Sequence, residues 1–241
     1  MPHTLFISDL HLSSERPRIN QLFLAFCDQL APQAEALYIL GDLFEYWVGD
    51  DDLGDPFHAG IATALLEVSQ RGVPVYLMHG NRDFLMGDLL AQACGASLLP
   101  DPILIDLYGK KTLLSHGDAF CTEDQEYMAF RRQVRDPAWQ KSFLAKPLAE
   151  RKSIAEQLRQ DSEQHKQDKP ETIMDVTPAA VDDVLRAKGY PRLIHGHTHR
   201  PARHELLVDG ILCERWVLPD WYNQGGYLSC DSNGCHFGTI E

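Results

Sequence analysis

Apolar residues recur along this chain in two alternating rhythms. Leu5-Phe6-Ile7-Ser8 is a short, nearly continuous apolar run and reads as a strand. After Pro17, residues Ile19, Leu22, Phe23, Phe26 and Leu30 fall three and four apart, which predicts one buried helix face. Ala36 to Leu40 predicts a second strand, Phe57 to Arg71 a second helix closed by Gly72, and Pro74 to Met78 a third strand. Lys111 to Ser115 predicts a fourth, and Arg192 to His195 another. Strands that alternate with amphipathic helices define an α/β chain with crossover connections.

Between about Thr122 and Asp175 the rhythm changes. Strand runs disappear, and Pro137, Pro147 and Pro170 punctuate segments with helical spacing. The expected organisation is a core formed by residues 1–121 and 176–241, interrupted by a helical insert at 122–175. From Arg203 to Ile240 several short strands are expected, with turn signals at Asp209-Gly210, Gly225-Gly226 and Asn233-Gly234.

Composition adds that the chain folds: 44% of its residues are apolar and 24% charged, which excludes disorder as a whole-chain reading. Its net charge of −13 repels a polyphosphate backbone, so nucleic acid is not an expected partner. The charge is uneven, however. Residues 131–169 carry ten bases against six acids, whereas the remaining chain is strongly acidic. Two readings fit: an anionic ligand or lipid surface meets the insert, or the insert is a solvated face laced with salt bridges. Apolar Trp139, Phe143, Leu144, Leu148, Ile154 and Leu158 among those bases suit a cleft for acyl chains and helix-on-helix packing equally.

Apolar stretches such as Ala36 to Leu40 fall far short of the ~20 residues of a spanning helix. The start, Met1-Pro2-His3-Thr4, shows no export signal, so a cytoplasmic chain is expected. Six cysteines without a Cys-x-x-Cys pair are expected to be reduced thiols used in packing.

The candidate chemistry sits where strands end. Asp9 and His11 follow the first expected strand, Asp42 the second, Asn81 the third, His116 the fourth, and His197 with His199 the next. Glycines beside four of these sites permit sharp turns and close backbone approach. Taken singly, each residue could be a capping Asp or a core His; seven at successive strand ends point to a shared site. Carboxylates, imidazoles and an amide form a donor set suited to Mn²⁺, Fe or Zn²⁺ and unlike a thiolate site. Seven ligands exceed one ion with open positions, but divide into two sets if one carboxylate bridges. Two ions ~3.5–4 Å apart can hold a hydroxide and clamp a phosphoryl group through in-line displacement. His3, His58, His165, His204 and His236 lack this setting and are expected to be surface or structural.

In order, Asp-x-His, Gly-Asp, Gly-Asn, His-Gly-Asp and Gly-His-Thr-His resemble the calcineurin-like metallophosphoesterases. The resemblance implies a four-layer α/β/β/α sandwich. It implies Asp9, His11 and His199 on a first metal, Asp42 bridging, and Asn81, His116 and His197 on a second, with Mn²⁺ the expected ion. Asp42, Asn81, Arg82 and His116 form the expected catalytic set.

A finer resemblance is to the branch that hydrolyses the pyrophosphate of a nucleotide-activated, diacylated sugar lipid in lipid A biosynthesis. It rests on Ile7 to Leu12, His79 to Phe84, Ile194 to Pro201, the place of the insert and the length. It implies that the insert caps the metal site over the lipid, and that Asn81, Arg82, Asp124, Ser162, Lys166, Lys169 and His197 touch substrate. Tyr127, one helical turn after Asp124, is expected to join them. A diacyl substrate resides in a bilayer, so the basic insert is expected to dock on the cytoplasmic face of the inner membrane.

Arg82 departs from the broader family pattern, in which a His after the Gly-Asn can protonate an alkoxide leaving group. A guanidinium stays charged at working pH and delivers no proton. The leaving group must then depart unprotonated, which suits a phosphate monoester with a second pKa of about 6. Arg82 instead offers a fork for phosphate oxygens; an alternative is a loop brace formed with Asp83. The competing functions are another dimetal phosphoesterase, such as a nuclease or cyclic nucleotide phosphodiesterase, and a non-catalytic scaffold. Arg82 and the acidic body count against the first, and the full ligand set against the second.

Overall fold

Two β-sheets pack face to face with helices on both outer surfaces in the computed structural model, which describes residues 1–168 and 175–240, the side chains of 161–168 excepted. The strands in chain order are β1 (Thr4–Ile7), β2 (Ala36–Leu40), β3 (Val75–Met78), β4 (Ala96–Leu99), β5 (Ile103–Leu107) and β6 (Lys110–Ser115). There follow β7 (Arg192–His195), β8 (Ala202–Val208), β9 (Ile211–Val217), β10 (Gly225–Asp231) and β11 (Gly234–Ile240). One sheet has the order β11-β10-β1-β2-β3-β4 and the other β5-β6-β7-β9-β8. β1 to β4 run parallel, as do β6, β7 and β9.

The continuous apolar character of β1 reflects burial on both faces. Leu5 and Ile7 enter the outer core with Phe23, Leu37, Ile39, Leu65, Val75 and Leu77. Phe6 points the other way and joins Leu40, Met78, Leu114, Ile194 and Trp216 between the sheets. Helices α1 (Pro17–Ala25), α2 (Pro56–Gln70) and α3 (Asp88–Ala93) contribute to the outer core. A third cluster sets Val181 and Leu185 against Leu113 and Leu193 of the second sheet. The layers are therefore α/β/β/α.

Three local expectations need correction. The run Lys111 to Ser115 forms not the fourth strand but the sixth, because β4 and β5 precede it. Both lie at sheet edges, where half-buried positions dilute the apolar pattern. Gly225-Gly226 opens β10 rather than turning, because the two residues pair with Ile240 and Thr239 of β11; glycine is needed there, since a Cβ on Gly225 would lie 2.1 Å from the Ile240 side chain. Cys230 and Cys235 are joined as a disulfide, while Cys27, Cys94, Cys121 and Cys213 are buried thiols outside that bridge. The hairpin register sets Cys230 opposite Cys235, a relationship that their spacing in sequence conceals.

Residues beyond β6 are helical, as α4 (Gln125–Val134), α5 (Pro137–Leu144) and α6 (Leu148–Asp168); α7 (Pro178–Ala187) then returns the chain to β7. Asp136 caps α5, with Pro137 in its first turn. Phe143 is buried in the outer core, with Trp139, Leu148 and Ile154 packed against it; Leu144 and Leu158 remain exposed. Among the described residues, no helix is long and apolar enough to cross a membrane.

Candidate active site

The parallel strands β1, β2 and β3 of one sheet and β6 and β7 of the other deliver their carboxyl ends to one edge of the sandwich. All seven expected ligands lie there. The donor atoms of Asp9, His11 and His199 fall within 4.8 Å of one another, and so do those of Asp9, Asp42 and His116. Asp42 faces both sides: Oδ2 is 3.8 Å from His11 Nε2, and Oδ1 is 3.8 Å from His116 Nε2. Asn81 Oδ1 lies 3.0 Å from His116 Nε2 and 2.8 Å from His197 Nδ1.

The backbone is bent sharply to achieve this. Asp9, His11, Asp42, His197 and His199 all have positive φ, between 50° and 70°. Strand alternation therefore does not orient Asp9 and His11; left-handed turns do, at a conformational cost the surroundings must offset. Gly80 is required by close approach, because a Cβ there would lie 2.0 Å from Asp42 Oδ1.

Charge explains what the cluster attracts. Burial disfavours ionised Asp42, His116 opposes that effect, and the carboxylates of Asp83 and Asp9 reinforce it, raising the group to about 7. Burial also works against a charged His116, yet Asp42, Asp118 and Asp9 outweigh it and push the imidazole up to about 9. Burial and neighbouring His116 hold His197 down at about 3. His116 Nδ1 donates to Leu40 O at 2.8 Å, which aims Nε2 at the Asn81 carbonyl: in the charged ring Nε2 donates to it, and in the neutral ring its lone pair is left for a metal cation. Acceptors held this close call for a cation, so the donor set fits divalent metal.

The other expected contacts divide. Tyr127 stacks on His197 with ring centroids 5.8 Å apart. Asp124 is the N-cap of α4, its Oδ1 accepting from Tyr127 N at 3.0 Å. Arg82 N donates to Asp42 Oδ1 at 2.8 Å, and its guanidinium is 3.9 Å from Glu45. Asp83 braces backbone instead, accepting from Gly80 N, Asp42 N and Leu43 N. The side chains of Ser162 and Lys166, and the whole of Lys169, lie outside the described residues.

Supporting residues unrecognised in the sequence also appear. Buried Asp118 accepts from Tyr127 Oη at 2.7 Å and Arg131 Nε at 2.8 Å, while Arg135 donates to Gly80 O at 2.9 Å. Arg16 donates to Leu10 O, His11 O and Trp221 O, clamping the Asp9–His11 loop to the segment after β9. Asp83 and Asp118 sat inside the quoted motifs, but nothing local marked Arg16. Among the described residues, five of the insert's bases turn toward the core: Arg131, Arg135, Arg151, Lys152 and Arg159 meet Asp118, Asp51, Asp52, Asp55 or Glu15.

A four-layer sandwich with this donor set across the carboxyl ends of both sheets is the framework of a dimetal phosphoesterase. The chain belongs to the calcineurin-like phosphoesterase family, which it matches over residues 2–201. It is 53% identical to a protein of Aromatoleum aromaticum named UDP-2,3-diacylglucosamine hydrolase, over 95% of this chain and 94% of that one. Proteins of the same name from Cellvibrio japonicus and Stenotrophomonas maltophilia are 52% and 49% identical, covering 96% and 98% of both chains respectively. Among solved structures, an archaeal phosphodiesterase aligns with a TM-score of 0.48 at 13% identity, over 99% of each chain.

Proposed function

We propose that this chain hydrolyses the pyrophosphate bond of UDP-2,3-diacylglucosamine to UMP and 2,3-diacylglucosamine 1-phosphate, a step of lipid A biosynthesis. The observation that carries the reading is the complete donor set with Arg82 beside it, in a chain about half identical to hydrolases of that name along nearly its whole length.

Asp9, His11 and His199 would hold one ion, Asn81, His116 and His197 the other, and Asp42 both; Mn²⁺ suits these donors. Bound metal supplies Lewis acidity, generating a nucleophile from water and neutralising phosphoryl oxygens. Arg82 binds and stabilises the negative oxygens as the α-phosphorus is attacked. The oxygen of water joins the α-phosphorus as the bond from that phosphorus to the bridging oxygen breaks; the sugar 1-phosphate leaves with the bridging oxygen without needing a proton, and the proton of the water passes to solvent. His116, fixed through Leu40, keeps its orientation throughout.

The insert at 122–175 acts as a lid in this reading, with Tyr127 over His197, and with Ser162, Lys166 and Lys169 as its further substrate contacts. Exposed Leu144 and Leu158 are available to acyl chains. The enzyme works in the cytoplasm, peripherally on the inner membrane that holds its substrate.

The test is product analysis with UDP-2,3-diacylglucosamine in ¹⁸O-water. Label in UMP is expected, since attack is at the α-phosphorus. Label in the sugar phosphate, or no cleavage by the metal-loaded protein, overturns the assignment.

A further inference from the structure

The chain beyond β2 runs beside the chain beyond β1. Leu12 N donates to Leu43 O at 2.9 Å, Glu45 N to Leu12 O at 3.0 Å, and Leu12 and Phe44 form a parallel bridge. Trp47 N donates to Arg82 O at 3.0 Å, which ties the Arg82 loop to the same segment. These backbone contacts bring the Glu45 carboxylate between two groups of the site. Its Oε2 is 3.6 Å from His11 Nδ1, and its Oε1 is 3.9 Å from Arg82 Nη1. The Glu45 and Arg82 side chains are each 14% exposed and that of His11 only 5%, so solvent screens these interactions weakly.

The other edge of the His11 ring faces the ligand cluster. Its Nε2 lies 3.4 Å from His199 Nε2 and 3.8 Å from Asp42 Oδ2. A carboxylate at Nδ1 favours the ring proton there, leaves the Nε2 lone pair for a cation, and makes that nitrogen more basic. The same carboxylate attracts the Arg82 guanidinium, which has rotamer freedom to lose.

We propose that Glu45 is a positioning residue with two partners: it sets the His11 tautomer for the first ion and holds Arg82 at the phosphoryl subsite. This role rests on the dimetal reading above and extends it. It couples metal loading to placement of the guanidinium.

The test uses the full chain as wild type, Glu45→Gln, Glu45→Ala, Arg82→Ala and the Glu45→Ala/Arg82→Ala double variant. Each is equilibrated with graded free Mn²⁺, and bound metal is counted by elemental analysis. Glu45→Ala is expected to weaken one of the two ions by about 10–100-fold, the usual effect of losing a carboxylate behind a histidine ligand. Arg82→Ala is expected to hold both ions as wild type does. At Mn²⁺ levels that saturate every variant, kcat of Glu45→Ala should fall toward that of Arg82→Ala. The double variant should be within about twofold of Arg82→Ala, because the two residues share one interaction.

Wild-type affinity for both ions in Glu45→Ala overturns the proposal, as do losses of kcat that multiply in the double variant. If Glu45→Ala loses its far-ultraviolet circular dichroism, the near-isosteric Glu45→Gln decides: weakened binding of one ion supports the role, and unchanged binding refutes it. Metal counting needs no substrate. A wrong substrate assignment would appear separately, as absent UMP release by wild type with the metal pattern intact.

Discussion

The Tyr127 ring lies over the His197 imidazole, centroids 5.8 Å apart, while its hydroxyl donates to buried Asp118 at 2.7 Å. A helix beyond the core thereby reaches an expected metal ligand through a side chain whose far end is anchored in the core. Arg131 shares the same carboxylate oxygen, at 2.8 Å.

That anchoring makes Asp118 costly to remove. Asp118→Ala leaves Arg131 without its closest buried partner and should destabilise the fold by ~3–5 kcal/mol in urea unfolding. Tyr127→Phe removes one hydrogen bond and keeps the stacked ring, so ~1 kcal/mol is expected. Equal losses in the two variants would contradict the anchoring role.

Asp42 presents its two oxygens to His11 and His116 on opposite sides. Asp42→Ala should retain the fold, as read by circular dichroism, while turnover falls at least about 10²–10³-fold, the scale of losing one preorganised stabilising group. Metal analysis should show loss of at least one ion. Near-normal rate with unchanged metal content would remove Asp42 from its bridging place.

In the proposed reaction Arg82 stands where relatives that expel alkoxides carry a proton donor. Arg82→Ala should lower turnover of the pyrophosphate substrate by ~10²–10³. Arg82→His should not restore it, yet should raise activity on a nucleoside phosphodiester relative to pyrophosphate, because imidazole can protonate the basic leaving group. An unchanged ratio of the two activities would break the link from arginine to pyrophosphate.

Glu214 carries a pH-dependent share of stability. Partial burial raises its pKa, but hydrogen bonds from Lys110, Arg192 and Arg203 prevail and hold it at about 2, against an ordinary 4.5. A depressed folded value means that the ionised group stabilises the protein above pH 4.5 and loses that contribution as pH falls toward 2. Glu214→Gln should therefore cost ~1–2 kcal/mol at pH 7, allowing for solvent screening, and progressively less below pH 4.5. Thermal melts of both proteins across that range check the sign.

Because five insert bases turn toward core acids or Glu15, docking on anionic lipid should depend on the bases that remain, among them Arg132 and Lys141. Arg132→Glu with Lys141→Glu should reduce pelleting with anionic vesicles, with each base contributing ~1 kcal/mol. Binding indifferent to these changes and to salt would count against membrane docking through the insert.

Local order was legible in the chain itself. The apolar runs at 36–40 and 75–78, the helix after Pro17 and the helical character beyond Thr122 follow from periodicity, which neighbouring residues impose on one another. The gathering of polar residues was legible too, since Asp9, His11, Asp42, Asn81, His116, His197 and His199 stand beside strand ends, where a sheet delivers side chains to a common edge. Tertiary structure alone divided those strands between two sheets, because β4 and β5 are edge strands with diluted patterns. It also decided which charges meet: Arg131 with Asp118, Lys152 with Asp52, Glu45 with both His11 and Arg82. Periodicity acts over one turn or one pleat, whereas buried charges and register partners find each other across any length of chain once the layers have stacked.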